Sequence, residues 1–187
     1  MRSTIKTEIE RLKQILEKAE VTFELPAGAT EAEIAALEAT TGIELDESLK
    51  EFYRFTNGSD NNTIFAVFSD QSTPCSLENI AEVSCWWQQF YQSPEPFDPV
   101  EEEHSFGWKP DARIQNFWRH PQWLPFAQFN GFSTTIMFDV NPTEQGKKGQ
   151  IIVYQHDPDG VYFVADNFLE FLQISNNLLE KERPNFF

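Results

Sequence analysis

Three polar side chains in the last third of the chain have the types that acid–base or metal chemistry requires. His156 and Asp157 are adjacent at the end of a predicted strand, and Asp139 ends a neighbouring one. Together an imidazole and two carboxylates could hold a metal ion or exchange protons with a substrate. The competing interpretation is a turn in which Asp157 accepts hydrogen bonds from backbone amides just before Pro158. The turn is favoured, and a hydrolytic enzyme built on Asp139, His156 and Asp157 is the less favoured hypothesis.

The other residues with reactive side chains form no recognised catalytic pattern. His104 follows three glutamates in a segment without periodicity, and His120 lies between two tryptophans, where a structural hydrogen bond is the usual role. Cys75 and Cys85 have no second pair, which favours reduced thiols over a disulfide framework or a zinc site. The sequence has no Gly-Lys-Ser/Thr phosphate loop, no Gly-x-Ser-x-Gly and no His-Glu-x-x-His. We therefore predict no catalytic residue, no metal and no cofactor.

The chain is strongly acidic, with 30 Asp and Glu against 14 Lys and Arg and a formal net charge of −16. Such a charge repels phosphate backbones, so nucleic-acid binding is not expected, whereas a basic partner protein would be attracted. No Lys or Arg lies between Arg54 and Lys109, and this segment contains nine acidic residues: Asp60, Asp70, Glu78, Glu82, Glu95, Asp98, Glu101, Glu102 and Glu103. The segment could speed the encounter with a positively charged protein; an ordinary solvated surface is the alternative.

Large aromatic side chains accompany this acidic segment. Trp86 and Trp87 are adjacent in a predicted helix and point about 100° apart, so at least one is expected near the surface. Phe106 and Trp108 end the segment, which suggests an aromatic patch rimmed by carboxylates, with core packing as the alternative for each residue. The predicted partner-binding residues are Asp60, Glu78, Glu82, Trp86, Glu95, Asp98, Glu101, Glu102, Glu103 and Trp108.

Spacing and capping residues predict that helices open and close the chain. Apolar residues recur at three- and four-residue steps over 5–16, the pattern of an amphipathic helix. Thr30 and Glu33 form a capping-box pattern, and Gly42 can end that helix in the left-handed conformation. Further helices are predicted after Asp46, from Ser76 to about residue 92, and after Asn167.

Runs of aromatic and β-branched residues between turn residues predict an antiparallel sheet. The predicted strands cover residues 63–69, 124–128, 132–140, 150–155 and 161–166. The proline-containing acidic segment at about 93–111 has no regular period and is expected to be a long loop. The expected fold is α+β, a single domain over residues 1–187. It has N-terminal helices, a mainly antiparallel twisted sheet of about five or six strands, and a C-terminal helix packed on it.

The order of motifs in the last third is distinctive. Trp-Leu-Pro-Phe-Ala, from residue 123, is followed by a glycine turn, a strand ending in Asp139, Gly-Gln-Ile-Ile, His-Asp and finally Phe-Leu-Glu-Phe-Leu. A second block runs from Leu-Pro-Ala-Gly-Ala-Thr at residue 25 to Asn57-Gly58. Together the two blocks resemble the SUKH superfamily, best known for the Knr-type cell-wall assembly regulator. The resemblance implies structural roles for Gly58, Trp118, Trp123, Pro125, Phe126, Gly131, Asp139, Gly149, Asp157, Phe168 and Phe171.

The resemblance also implies a protein that acts by binding another protein. Bacterial members of the superfamily are largely inferred immunity proteins that neutralise polymorphic toxins, often nucleases, and an acidic inhibitor suits a basic nuclease cleft. On this branch the carboxylates of residues 60–103 would mimic phosphates, and nearby aromatic side chains would anchor the complex. The fungal branch is the alternative, an adaptor or scaffold that assembles signalling proteins. Toxin neutralisation is the main expectation here.

This chain departs from the family pattern at one turn. Many relatives carry Gly-x-Gly-Asp after the Pro-Phe-Ala strand, whereas residues 130–134 here read Asn-Gly-Phe-Ser-Thr. The acidic residue of that turn is missing, so its role in relatives does not transfer to this chain. The segment 94–111 is also longer and more acidic than in a minimal member, as expected of an insertion that sets partner specificity.

The sequence has no feature that would direct it to a membrane. No apolar run is long enough to span a bilayer, and the first residues do not resemble a signal peptide. We therefore expect a cytoplasmic protein that does not bind membranes. The pattern does not predict an oligomeric state.

Overall fold

The computed structural model describes residues 4–18, 25–60, 62–68, 70–90, 94–106, 108–129 and 131–186, with side chains except at 90, 104–106 and 182–186. The helices in these ranges are α1 (Ile5–Lys18), α2 (Glu31–Thr41), α3 (Glu47–Phe55), α4 (Leu77–Phe90), α5 (Pro99–Phe106) and α6 (Phe168–Phe186). The strands are β1 (Phe65–Val67), β2 (Asp70–Pro74), β3 (Glu95–Pro96), β4 (Phe117–Arg119), β5 (Trp123–Phe129), β6 (Thr134–Asp139), β7 (Gln150–Gln155) and β8 (Gly160–Ala165). The predicted α+β fold is confirmed.

The N-terminal helices begin and end at the residues that the sequence predicts. The Thr30 side chain accepts a hydrogen bond from the Glu33 N–H at 3.3 Å, and the Glu33 carboxylate accepts one from the Thr30 N–H at 2.7 Å. This reciprocal pair is the predicted capping box at the start of α2. Gly42 ends α2 in the left-handed region with φ 70°. The Asp46 carboxylate accepts a hydrogen bond from the Leu49 N–H at 2.7 Å and caps α3.

Six strands form one antiparallel sheet in the order β1-β2-β5-β6-β7-β8, and β3 pairs with β4 in a separate two-stranded unit. β5 to β8 lie within two residues of their predicted bounds. Pro125 is accommodated inside β5 because the register shifts at a bulge between Pro125 and Ala127. The sheet curls, since the ring of Phe68, after β1, lies 5.8 Å from that of Tyr162 in β8 at the opposite edge.

Alternate residues of the sheet face two separate hydrophobic cores. The first face packs against the helices α1, α2, α3 and α6 and against Leu77 and Ile80 at the start of α4. Its sheet residues include Leu124, Phe126, Ile136, Phe138, Ile151 and Val153. The second face is covered by α4, the β3–β4 pair and the segment around Trp108. Its buried residues include Trp87, Trp108, Trp123, Met137 and Ile152. Helices alone thus cover the first face, whereas α4, the small strand pair and the segment around Trp108 together cover the second.

The strand predicted over 63–69 is present as β1, shorter than expected, but its hairpin partner β2 was not predicted. β1 and β2 pair from Phe65–Ser72 to Val67–Asp70. Phe68 lies in the turn with φ 54°, a conformation that aromatic residues rarely adopt, so no glycine or proline signalled the reversal. β2 reads Asp-Gln-Ser-Thr-Pro, a sequence with little intrinsic strand preference, and it forms a strand because β1 and β5 supply partners on both sides.

The prediction of a long loop over 93–111 is wrong, since β3 and α5 lie within it. The Asp98 carboxylate accepts a hydrogen bond from the Val100 N–H at 2.9 Å, and the Glu102 N–H donates to the Asp98 carbonyl at 3.1 Å. Pro99 occupies the first helical position, where its missing N–H costs nothing, and Glu101 lies in the first turn, where a negative charge favours the helix dipole. β3 pairs with β4, a strand that no sequence pattern indicated.

Candidate binding cleft

A cleft of about 580 Å³ opens on the second face of the sheet, between α4, the β3–β4 pair and the ends of β6 and β7. Its lining includes Trp86, Glu95, Trp118, Arg119, Tyr154 and Asp159, and we refer to it as the aromatic cleft. These residues come from distant parts of the chain, so only the tertiary structure brings them together. The volume lies within the range of about 300–1,000 Å³ that ligand pockets occupy.

Two adjacent tryptophans of α4 have different environments at this cleft. Trp86 is 46% exposed, whereas Trp87 is only 6% exposed and packs in the core of the second face. The separation follows from the helix, which turns about 100° per residue and cannot bury both indoles on one side. This confirms the prediction that at least one of the pair lies near the surface. Trp118 is half-buried and the ring of Tyr154 lies on the cleft floor.

Paired polar groups cross the cleft floor. Arg119 donates to the Glu95 carboxylate at 2.7 Å, and its guanidinium carbon lies 5.4 Å from the centroid of the Tyr154 ring. The Tyr154 hydroxyl donates to Asp159 Oδ1 at 2.7 Å, and Nδ1 of His156 lies 2.7 Å from the same oxygen. Burial acts to raise the pKa of Asp159, but the hydrogen bonds from Tyr154 and His156 outweigh it and lower that pKa. Asp159 is therefore an ionised carboxylate at neutral pH.

Backbone strain is present at the rim of the cleft. Phe132, which lines the cleft, has φ 70°, and Asp157, next to the lining residue His156, has φ 65°. Both lie in the left-handed region that non-glycine residues rarely occupy. Phe132 is held there by two hydrogen bonds, from its N–H to Gln128 Oε1 at 3.3 Å and from Thr135 Oγ1 to its carbonyl at 3.1 Å. Such conformations cost on the order of 1–3 kcal/mol each and are concentrated at binding and switch regions.

The three residues of the enzyme hypothesis do not lie together. Asp139 pairs in register with Gln150, whereas His156 follows Gln155, which pairs with Thr134 at the other end of the same two strands. The five residue steps from Gln150 to Gln155, at about 3.4 Å each, separate these two ends by about 17 Å, and His156 lies one residue further on. The carboxylate that His156 Nδ1 contacts is that of Asp159. The juxtaposition on which that hypothesis depended is therefore wrong.

Residues 28–174 match the SMI1/KNR4 family (SUKH-1). The chain belongs to this family. The match includes α2 to α5, all eight strands and the start of α6, and so contains every wall of the aromatic cleft. The resemblance predicted from the two sequence blocks is confirmed at the level of the family.

Several fungal proteins of this family are similar to the chain. The cell wall biosynthesis/cell cycle regulator smi1 of Schizosaccharomyces pombe is 28% identical over 166 residues, which are 83% of this chain and 32% of that protein. The cell wall assembly regulator SMI1 of Saccharomyces cerevisiae is 35% identical over 71 residues, 38% of this chain and 14% of the relative. The glucan synthesis regulatory protein of Neurospora crassa is 36% identical over 63 residues, 34% of this chain and 12% of the relative.

The chain thus spans about a third or less of the length of these SMI1/KNR4 relatives. All three relatives are named as regulators, and none of their names describes an enzyme or an immunity protein. Their names agree with the adaptor alternative better than with toxin neutralisation.

Among the described side chains, no group of three His, Cys, Asp or Glu lies close enough together to hold a metal ion. The side chain of His104, one of the two weaker histidine candidates, lies outside the described residues, as does that of Phe106. The other, His120, is 9% exposed, and its Nδ1 accepts a hydrogen bond from the Gln122 N–H at 3.1 Å. Burial lowers the pKa of His120, which agrees with a neutral structural histidine.

Within the ranges described, no helix combines the length and the apolar composition needed to cross a bilayer.

The structure distributes the predicted partner-binding carboxylates over several grooves. Asp60, Glu78, Glu95 and Glu103 each line a different one. The exposed members of the set are Asp60, Glu78, Glu82, Asp98, Glu101 and Glu103, whereas Glu95 and Glu102 are half-buried. Of the set, Glu95 and Trp86 line the aromatic cleft.

Trp108 does not belong to an exposed aromatic patch, which corrects the expectation for this residue. It is only 9% exposed, and its ring lies 5.5 Å from that of Trp118 and 5.3 Å from that of Phe97. The reason is that β3 and β4 bring a second aromatic layer over the sheet, and Trp108 fills the space between that layer and Tyr162, 6.0 Å away. Trp86 is therefore the tryptophan of the predicted pair that reaches solvent.

The residues with implied structural roles divide into buried rings and turn positions. Trp123, Phe126, Phe168 and Phe171 are at most 1% exposed. Gly58, Gly131 and Gly149 have φ of 85°, 65° and 86°, which only glycine adopts without strain. Asn130, beside Gly131 in the atypical turn, lies outside the described residues.

Sequence reasoning missed Arg119, Tyr154 and Asp159 as cleft residues. A signal was present for two of them, because Tyr154 and Asp159 flank His156 at a turn rich in polar residues. Their mutual contact depends on how that turn folds back, which the spacing does not reveal. Arg119 carried no local signal, since its partner Glu95 is 24 residues away.

Asp139 is fully buried at the other end of β6, where it organises the following loop. Its carboxylate accepts hydrogen bonds from the Asn141 N–H at 2.7 Å and from Gln150 Nε2 at 2.8 Å. Burial raises its pKa to about 6 from an ordinary value of 3.8, against the lowering effect of these two hydrogen bonds. No substrate reaches this carboxylate, because its residue is 0% exposed.

We expect Asp139 to make the folded protein less stable as the pH rises from about 4 to about 6. The folded state binds the proton more tightly than the unfolded state, so the stabilising contribution of the protonated form is lost through this window. Asp139→Asn removes the titration. Its free energy of unfolding relative to the native chain should therefore increase by on the order of 2 kcal/mol between pH 4 and pH 7. Urea unfolding at a series of pH values measures the difference; Asp60→Asn, the same change at an exposed site, is the control. If the difference in free energy of unfolding between Asp139→Asn and the native chain does not change with pH, the raised pKa of Asp139 is contradicted.

Proposed function

We propose that the chain is a non-enzymatic protein-binding module of a cell-wall regulator, and that it holds its partner in the aromatic cleft. The observation that carries the proposal is the exposed Trp86 at the edge of a preformed cleft in a fold of the SMI1/KNR4 family. Tryptophan, tyrosine and arginine dominate the energetics of protein interfaces, and all three residue types line this cleft.

The cleft is suited to binding a partner rather than to transforming a substrate. Its polar groups are already engaged with one another, Arg119 with Glu95 and Asp159 with Tyr154 and His156. Such pairing fixes the orientation of the side chains before a partner arrives, which lowers the entropy lost on binding. The relatives are named as regulators, which also supports a binding function.

A second candidate function is the neutralisation of a basic toxin. The specific observation in its favour is the charge of the segment from α4 to α5, which contributes exposed carboxylates and no Lys or Arg. In that case Glu101, Glu102 and Glu103 on α5 would approach a positively charged cleft of the toxin, and the affinity would fall steeply with salt.

Affinity capture with the tagged full chain distinguishes the two functions. The native chain is compared with Trp86→Ala, with a triple variant in which Glu101, Glu102 and Glu103 become Gln, and with Val100→Ala. Val100 is 61% exposed and lies outside the cleft, so its substitution controls for the loss of an exposed apolar side chain. Partners are identified by mass spectrometry after washes at low and high salt.

For a cell-wall regulator module we expect wall-assembly or signalling proteins that bind the native chain, the triple variant and Val100→Ala. Trp86→Ala should lose about ten-fold or more of the affinity, because truncating an interface tryptophan costs about 2 kcal/mol or more. A single basic protein lost from the triple variant and retained by Trp86→Ala would overturn this proposal in favour of toxin neutralisation.

A further inference from the structure

We propose that the aromatic cleft recognises an arginine or lysine side chain presented by an extended segment of the partner. The proposal rests on the function above, since it names the chemistry of the partner that occupies the same cleft.

The first support is the aromatic lining. The exposed Trp86 and the half-buried Trp118 supply two rings that a partner can reach, and the face of such a ring attracts a cation. Tyr154 is only 7% exposed, and Arg119 already lies beside its ring. The chain already uses this chemistry internally, because the guanidinium of Arg119 lies 5.4 Å from the Tyr154 centroid and pairs with Glu95. A ring with a nearby carboxylate therefore accommodates a guanidinium in this environment.

The second support is the balance of charge in the lining. Among the described lining residues, Arg119 is the single Lys or Arg, and it faces the two carboxylates Glu95 and Asp159. The side chain of Arg119 is 18% exposed, whereas those of Glu95 and Asp159 are 37% and 43% exposed. Arg119 is thus deeper than the carboxylates, and an approaching segment meets Glu95 and the His156–Asp159 pair, in which His156 is 64% exposed, before it reaches Arg119.

The surroundings of the cleft strengthen this field. The sequence between Arg54 and Lys109 contains no Lys or Arg, so the α4 and β3 walls carry no positive charge. Glu82 is exposed one turn before Trp86 on α4. An acidic segment would be repelled here, and a purely apolar one would desolvate the Arg119–Glu95 and His156–Asp159 pairs without adding a hydrogen bond, which is costly.

The segment is expected to be extended because the cleft is open and formed by several elements. Peptides that insert one or two side chains between aromatic walls commonly bind in this way. The hydrogen bonds of Phe132 with Gln128 and Thr135 fix the backbone at the cleft wall, which favours a preformed site over one that closes on its ligand.

Selection from a random library of displayed peptides of about twelve residues, with the full chain as bait, tests the proposal directly. We expect peptides enriched several-fold in Arg or Lys at one position. An enriched peptide, labelled and measured by fluorescence anisotropy, should bind Trp86→Ala and Asp159→Asn about ten-fold more weakly than the native chain. It should bind Val100→Ala within about two-fold, and its affinity should fall between about 50 mM and about 500 mM salt. Thermal melts of each variant establish that it is folded.

Enrichment of acidic or uncharged residues, or no enrichment, would overturn the recognition of a basic side chain. The proposed function is then decided separately by whether capture of the natural partner depends on Trp86. Enriched basic peptides that bind Trp86→Ala and Asp159→Asn as well as the native chain would also overturn the proposal, because their site would lie outside the cleft.

Discussion

Replacing Phe168 by alanine is expected to lower the free energy of unfolding by about 3–5 kcal/mol. Phe168 begins α6 and is 0% exposed, and its ring lies 5.4 Å from Phe52, 5.7 Å from Phe126 and 5.8 Å from Phe171. The ring therefore joins α3, β5 and α6 at one point of the first core. Truncation removes the transfer free energy of the ring and leaves a cavity that these neighbours fill only in part.

Urea unfolding monitored by circular dichroism measures this loss. Phe129→Ala makes the same chemical change in β5, where the ring is 38% exposed, and should cost about 1 kcal/mol or less. Similar costs for the two variants would show that the aromatic cluster does not hold α6 to the sheet.

Replacing Gly58 by alanine is expected to cost about 2–5 kcal/mol, from two independent causes. Gly58 has φ 85°, and a Cβ added there would lie 2.8 Å from the Ser76 nitrogen and 3.0 Å from the Cys75 carbonyl carbon. Both neighbours are backbone atoms of the two residues just before α4, so they cannot move aside without shifting the start of the helix.

Gly131→Ala is the matched control for the conformational part. Gly131 has φ 65°, but a Cβ at that position meets no atom within 4 Å. Gly131→Ala should therefore lower the free energy of unfolding only by the strain of the left-handed conformation, about 1–2 kcal/mol. In a chain of this size each kcal/mol lowers the melting temperature by about 2–4 °C, so thermal unfolding separates the two variants. Equal shifts would mean that the close approach of residue 58 to α4 is not a constraint.

Local signals predicted the regular elements of this chain well. The capping box at Thr30, the left-handed Gly42 and the Asp46 cap involve residues within a few positions of one another, so their geometry follows from the sequence alone. The strands β5 to β8 were found for a similar reason, because apolar runs between turn residues define both their length and their faces.

Elements that depend on a distant partner were missed. β2 has little strand preference and is stabilised by β1 and β5, while β3 and β4 pair across more than 20 residues. α5 is an intermediate case. Asp98 and Pro99 are a recognisable cap and first helical residue, but the prolines and glutamates around them masked that signal.

What the sequence by itself determined is the family, the α+β class, the sites of helix capping and the acidic character of the surface, since all of these depend on local order or composition. Only the tertiary structure decided which tryptophan reaches solvent, which carboxylates are paired and where a partner could bind. The physical reason is distance along the chain. Trp86, Glu95, Arg119 and Asp159 meet at the aromatic cleft because the β3–β4 pair packs over the sheet, and no periodicity encodes a contact between residues so far apart.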